Sequence, residues 1–346
     1  GTVNTQINDE ILPSIHTTPE APDLQATLAM MHERHARAVA MEVSSHALAL
    51  HRVGGSHFKI AGFTNLTQDH LDFHGSMDRY FQAKASLFRF GFSDLAIINI
   101  DDTYGAKLLT QIEIPAVTIS RAGKADWFFE EITKFNRGTS VKIRGRDGIL
   151  IEGTTKLLGD YNLDNLLMAV AIAVISGIDP IEISSNLQLY TGAPGRMEQV
   201  ELGQNFMAFV DYAHTSDATI NVLKSAREFT SGKLIAVLGC GGDRDKSKRP
   251  LMGQALTLAD YPIFTSDNPR SEDPHQILKE MTTGISHNGE IIVDRRAAIA
   301  RAVELAQAGD VVAVLGKGHE TGQEINGEKF SFDDRKELAN AIAGKK

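Results

Sequence analysis

A single cysteine, Cys240, stands in 346 residues, so no disulfide can form within the chain. That scarcity fits a reducing compartment, and the expected location is the cytoplasm. No apolar run approaches the roughly eighteen residues that cross a bilayer, so no membrane partner is expected. The opening Gly1-Thr2-Val3-Asn4 has neither a basic start nor a long apolar core, and no secretory signal is read there. Positive charge is in deficit: 35 Lys and Arg against 44 Asp and Glu leave a net charge of -9. A protein that grips nucleic-acid phosphates broadly carries the opposite balance, so no nucleic-acid partner is expected. Local groups of Arg and Lys can still bind a small anion against an acidic background. There is no internal repeat and no low-complexity stretch. A G-x-x-x-x-G-K-[ST] phosphate loop is missing as well. Gly232-Lys233 and Gly316-Lys317 lack both the leading glycine spacing and the following hydroxyl residue.

What is present is ordinary for a globular protein: 42% hydrophobic and 23% charged residues, in a length that suits two to three domains. Leu24, Leu28 and Met31 share one helical face. Residues 38–43 read as a buried strand, 59–64 as a second, 77–90 as a helix and 95–100 as a strand. This alternation predicts an α/β fold with a parallel sheet. From 127 to 158 the segments are short and β-like. Residues 141–144 and 149–151 flank the turn signal Arg146-Asp147-Gly148, which predicts hairpins added to one sheet edge. Residues 162–176 read as an apolar helix stopped by Gly177. Thr191-Gly192-Ala193-Pro194-Gly195 is the best boundary, dividing the chain into domains 1–194 and 195–346. Beyond it strands are expected at 207–210, 234–238, 262–264, 290–293 and 311–315, with helices between them.

Several segments could carry chemistry, and each has a plainer reading. Glu42-Val43-Ser44-Ser45-His46 ends an expected strand, where ligands collect in open α/β sheets. Its Glu could hold a hard cation or simply cap the next helix. Asp69-His70-Leu71-Asp72-Phe73-His74 offers metal donors at a spacing that fits no zinc template. Met31-His32-Glu33-Arg34-His35 misses the zincin pattern by one residue. Lys84 alone reads as a solvated helical lysine. Gly239-Cys240-Gly241-Gly242-Asp243-Arg244 follows a strand and could approach an anion closely. Its spacing, like that of Gly316-Lys317-Gly318-His319-Glu320, is not the dinucleotide fingerprint, which leaves a nucleotide-dependent oxidoreductase as a remote alternative. In Asp267-Asn268-Pro269-Arg270 the Arg fork suits a carboxylate, or is a solvated turn residue.

Taken in order, these segments resemble the Mur ligase family, and within it the diaminopimelate-adding type. The ordered set includes Thr17-Thr18-Pro19-Glu20, Gly195-Arg196-Met197-Glu198 and Asp211-Tyr212-Ala213-His214. The resemblance implies a central ATPase domain with a P-loop-type sheet and hairpin additions over 1–194. It implies a Rossmann-like, amino-acid-binding C-terminal domain over 195–346. The implied reaction is ATP-dependent addition of meso-diaminopimelate to UDP-N-acetylmuramoyl-L-alanyl-D-glutamate through an acyl phosphate, in peptidoglycan synthesis. Mg²⁺ is the implied cofactor, ATP the co-substrate, and a monomer the implied state. By the same resemblance Glu42, His70 and a carbamylated Lys84 form the metal and catalytic set. Thr17, Thr18, Ser44 and Arg52 contact the UDP-muramoyl dipeptide. Asn165, Arg196 and Asp211 contact nucleotide, and Arg244, Asp267, Asn268, Pro269, Arg270, Gly316 and Glu320 form the diaminopimelate pocket. The family carries a Gly-Lys-Thr loop ahead of the Thr17-Thr18 region. Without it, the chain by itself is expected to be inactive or nearly so, with a non-catalytic amino-acid-binding fragment as the alternative.

Overall fold

The computed structural model describes residues 1–135, 138–286 and 289–345. The chain opens with a small antiparallel hairpin, β1 (Asn4–Ile7) and β2 (Glu10–Pro13). Helix α1 (Ala21–Glu33) and the short α2 (Ser45–Ala49) precede strand β3 (Phe58–Phe63). Then come α3 (Leu71–His74), α4 (Met77–Ala85), β4 (Ser93–Asn99), α5 (Thr103–Leu109) and β5 (Ala116–Ser120). Strands β6 (Trp127–Phe135), β7 (Gly138–Arg144) and β8 (Leu150–Thr155) follow, then α6 (Asp160–Ile175) and α7 (Pro180–Asn186). These strands form one sheet in the order β3-β4-β5-β6-β7-β8. Strands β3 to β6 are parallel, as alternation requires, and β7 and β8 continue the sheet beyond β6, joined to each other by the turn at 146–148. Asp147 and Gly148 both take positive φ there, 55° and 77°. Leu24, Phe63, Phe81, Phe88, Ile98 and Leu108 pack one face of this sheet.

Two expectations fail in this region. Residues 38–43 are not a buried strand: they carry no ladder and are mostly exposed, with Val39 46% accessible. A strand exists only through its neighbours' hydrogen bonds, and no described strand pairs with this segment. Only Met41 and Val43 turn inward, against the core below. The helix expected to reach 90 stops at Ala85. There the Ser86 hydroxyl donates to the Ala83 carbonyl and the chain tightens to three-residue turns, Leu87 N to Lys84 O and Phe88 N to Ala85 O.

The second sheet is built from β9 (Glu198–Gln199), β10 (Met207–Asp211), β11 (Leu234–Cys240), β12 (Tyr261–Ser266), β13 (Glu290–Ile291) and β14 (Val311–Leu315). Their order is β13-β12-β11-β14-β10-β9, parallel except for β9. Helices α8 (Ser216–Phe229), α9 (Lys248–Leu256) and α10 (Pro274–Met281) pack one face. The other face is covered by α11 (Arg295–Leu305) and α12 (Asp334–Gly344), with the hairpin β15 (Gly322–Ile325)–β16 (Glu328–Ser331) between them in the chain. Period-two alternation decides which residue faces which layer. Leu234, Ala236 and Leu238 join the first core, Ile235 and Val237 the second. Both faces are covered, so the strands are continuous apolar runs, which is why the sequence revealed them. Cys240 is buried in the first core and burial pushes its thiol up to about 12.

The chain divides into two compact units. The first holds 1–132, 141–153 and 164–186. The second holds 133–140, 154–163 and 187–346, so it takes the far ends of β6, β7 and β8 and the first turn of α6.

Candidate active site

In the first unit the loop after α1 and the start of α2 gather polar groups around Thr18, which is fully buried. Its hydroxyl donates to the Glu42 carbonyl at 2.9 Å and accepts from the Ser44 amide at 3.1 Å. The Ser44 side chain caps α2, accepting from the Ala47 amide. Arg52 donates from Nη1 to the Thr18 carbonyl at 3.3 Å and pairs through Nη2 with Glu20 at 2.7 Å. Its Nε is buried without a partner. Thr17 meets Thr2 hydroxyl to hydroxyl at 3.0 Å, and Thr2 donates to Glu42 Oε2 at 2.7 Å. Thr17, Thr18, Ser44 and Arg52 therefore share one locality with Glu42.

Beside them His46, from the first of the candidate segments, meets the rings of the second. His46 stacks near His70, Phe73 and His74, with centroids 4.8, 4.2 and 5.5 Å away. His74 lies parallel to Tyr80 at 4.9 Å and its Nε2 bonds the Ser45 hydroxyl at 2.9 Å. Burial holds His46 and His74 below the ordinary imidazole range, and each is pushed further down by its histidine neighbours. His70 takes a left-handed φ of 54°, anchored by its own amide donating to Asp69. Lys84 reaches across the Tyr80 ring at 5.5 Å. Burial lowers its pKa, and the Glu42 charge opposes that shift. A lowered lysine is a better nucleophile toward CO₂, because only the neutral amine attacks.

Among the described residues no group of three or more His, Cys, Asp and Glu is arranged to hold an ion. Glu42 and His70 supply one oxygen and one nitrogen donor, and Lys84 adds an oxygen donor only as a carbamate. Carboxylate and carbamate oxygens are the donor type that a hard divalent cation takes. The near-zincin stretch gives nothing: α1 ends at Glu33, and His35 leaves the helix with a φ of 60°.

The nucleotide candidates fall in different units. Asn165 is exposed in the first unit. Asn162, three residues earlier, is buried and donates to the Leu158 carbonyl at 2.9 Å. In the second unit Arg196 is exposed, with its guanidinium 5.2 Å above the Tyr212 ring. Asp211 is 2% accessible, and its carboxylate accepts from Tyr161 Oη at 2.7 Å, Met197 N at 2.8 Å and Ala213 N at 2.7 Å. So placed, Asp211 shapes the turn that presents Arg196; it offers little carboxylate to a ligand.

The amino-acid pocket candidates converge at the carboxyl ends of β11, β12 and β14, where parallel sheets place their sites. A Cβ on Gly242 would fall 1.9 Å from the Pro269 carbonyl, so the two loops meet backbone to backbone. Arg270 Nη1 donates to the Gly242 carbonyl at 2.8 Å and its Nε lies 3.3 Å from Glu324. Asn268 Nδ2 donates to Glu320 Oε2 at 3.1 Å. Gly316 takes a φ of 110° and its amide donates to the Asp211 carbonyl. Arg244 is exposed on the loop after β11. That loop is held by Arg249, 1% accessible, which pairs with Glu272 and Glu280. Arg295, also 1% accessible, pairs with Asp334 and donates to the carbonyls of Leu315 and Ser266. It thereby ties together the last residues of β14 and β12. Lys317, Gln323 and Glu324 also line this place; the sequence reading weighed Lys317 only as a phosphate-loop lysine and passed over the other two. Asn326-Gly327, a hairpin signal, could have found the last two.

Residues 1–173 match the Mur ligase middle domain and 195–318 the Mur ligase, glutamate ligase domain. The UDP-N-acetylmuramoyl-L-alanyl-D-glutamate–2,6-diaminopimelate ligase of Streptomyces coelicolor is 48% identical over 99% of this chain and 70% of its own length. The ligase of that name from Syntrophomonas wolfei is 44% identical over 100% of this chain and 72% of its own. A solved structure of such a ligase superposes with a TM-score of 0.69 at 39% identity, covering 100% of this chain and 72% of the other. The chain belongs to the Mur ligase family, and its relatives at this identity are of the MurE, diaminopimelate-adding type.

Proposed function

We propose that this chain serves in the ATP-dependent addition of meso-diaminopimelate to UDP-N-acetylmuramoyl-L-alanyl-D-glutamate. The γ-phosphoryl group of ATP passes to the substrate's glutamyl carboxylate and ADP leaves. The amine of the incoming amino acid attacks the acyl phosphate carbon. A C–N bond forms, the C–O bond to phosphate breaks, and the amine gives up a proton.

The observation that carries the substrate assignment is the pairing of opposite charges in one pocket. Glu320, held by Asn268, stands with Arg270, whose fork is oriented by Gly242 and Glu324. Diaminopimelate ends in an ammonium and a carboxylate at its distal centre, whereas lysine ends in an ammonium alone. Lysine has no distal carboxylate to add to the Arg270 pairing and forfeits that charge-assisted bond, so the pocket favours diaminopimelate over it. Arg244, Asp267, Pro269 and Gly316 complete its walls. Thr17, Thr18, Ser44 and Arg52 would receive the anionic muramoyl dipeptide. Asn165 and Arg196 would contact the nucleotide, with Asp211 behind Arg196. Glu42, His70 and carbamylated Lys84 would hold Mg²⁺, which supplies charge neutralisation at the phosphates.

The test is phosphate release by the full-length gene product with ATP, Mg²⁺ and the muramoyl dipeptide. Release that requires meso-diaminopimelate and not lysine supports the reading. Release with lysine keeps the reaction and removes the substrate assignment. Folded protein that releases phosphate with neither would overturn the function.

A further inference from the structure

We propose that Lys317 is a positioning residue of the amino-acid pocket, setting the side chains of Glu320 and Asn268 in the geometry that receives the substrate's ammonium group. This rests on the reading of the pocket given above.

Lys317 lies two residues past the end of β14 and is 0% accessible. A lysine so placed must have every donor satisfied and its charge matched. The ammonium has three donors, and three oxygens stand within reach. Nζ is 3.0 Å from Asn268 Oδ1, 3.0 Å from Glu320 Oε2 and 3.4 Å from Asp267 Oδ1. All three belong to side chains assigned to the pocket. The loops they come from follow different strands, β12 and β14, so one buried cation fixes the two loops to each other.

The tethering is one-sided, which gives it consequence. Glu320 Oε2 accepts from both Lys317 and Asn268, while Oε1 has no bonding partner among the described residues. Asn268 Oδ1 is likewise consumed, by Lys317 and by the Glu324 amide at 3.0 Å. The carboxylate is therefore pinned through one oxygen, leaving the other to a ligand donor. The charges add in the same sense: Asp267 and Glu320 against Lys317 leave one net negative charge for a substrate cation. Removing Lys317 would leave two carboxylates close together with no cation between them. Glu320 would then turn away from the pocket.

The test compares Lys317→Met with wild type in the full-length enzyme, measuring kcat and the KM for each of the three substrates. The diaminopimelate KM is expected to rise on the order of tenfold or more while the ATP and muramoyl-dipeptide KM values stay within about twofold, as misplacement of a single binding group would cause. A purely structural role would instead lower the active fraction, reducing apparent kcat and leaving every KM unchanged; that result would overturn the proposal. So would equal rises in all three KM values. If Lys317→Met fails to fold, Lys317→Met/Asp267→Asn removes one of the stranded carboxylates with the cation. Compared with Asp267→Asn alone, the double variant must still show the selective KM rise, and its absence would sink the idea. Should wild type use lysine in place of diaminopimelate, the substrate assignment falls while the Lys317 comparison is read unchanged on lysine.

Discussion

Arg270 holds a φ of 51°, a left-handed conformation that costs a residue with a side chain about 1 kcal/mol or more. The hairpin beside it sustains the strain: its amide donates to the Glu324 carbonyl, and its carbonyl accepts from Asn326. A backbone so fixed aims the guanidinium. The expected outcome of Arg270→Ala is a rise in diaminopimelate KM of roughly ten- to a hundredfold, the value of a charge-assisted hydrogen bond, with the ATP KM unchanged. Equal effects on both would remove Arg270 from the pocket. At this scale the sequence displayed residue types but not their states. Lys84 reads as a solvated lysine until burial is known, and Asp211 as an open carboxylate until its three internal donors are seen. The burial of Lys317 was invisible for the same reason, since nothing in a Gly-Lys-Gly string says the lysine is enclosed.

Among the elements, legibility followed burial pattern. The strands of the second sheet are apolar throughout because helices cover both faces, and such runs bounded by glycine announce themselves. Residues 38–43 have the same composition and form no strand, because pairing is decided by a neighbour and not by propensity. The β15–β16 hairpin escaped notice despite its turn, Asn326 at φ 52° and Gly327 at 78°. Trp127 on β6 is 1% accessible and lies against Gly145, where a Cβ would come within 2.7 Å of its ring. Trp127→Ala should cost about 3–5 kcal/mol in denaturant unfolding; a loss below about 1 kcal/mol would mean the added strands contribute little packing. Glu272 is held well below the ordinary carboxylate value of 4.5, first by the Arg249 guanidinium, then by the Asp243 amide and Lys246. A depressed folded pKa adds stability that is present above 4.5 and is lost as pH falls through the lowered folded value. Glu272→Gln should therefore lower Tm at neutral pH and flatten the acid limb of a Tm-against-pH curve. An unchanged acid limb would show that the pair carries no stability.

Over the whole molecule, the glycine- and proline-marked stretch at 191–195 does not coincide with the division between compact units. The second unit also claims 133–140 and 154–163. Their attachment is specific. Tyr161 bonds Asp211, Gln199 bonds the Lys156 carbonyl, and Lys134 pairs with Asp160 and Glu228. A fragment beginning at Thr154 should accordingly melt higher than one beginning at Gly195, by several degrees if the Tyr161–Asp211 contact alone is worth about 1–2 kcal/mol. Identical melting temperatures would show that 154–163 add no stability to the second unit. What the sequence determined by itself was the α/β class, the hairpin additions, the second sheet's strands and the ordered motifs that mark a Mur ligase. These are written in periodicity, turn residues and local order, which neighbouring residues fix among themselves. The tertiary structure alone decided that 38–43 stays unpaired, that Asp211 faces inward and that Lys317 bridges two loops. Each of those depends on what lies beside a residue in space, because burial and pairing are properties of the neighbours and not of the string.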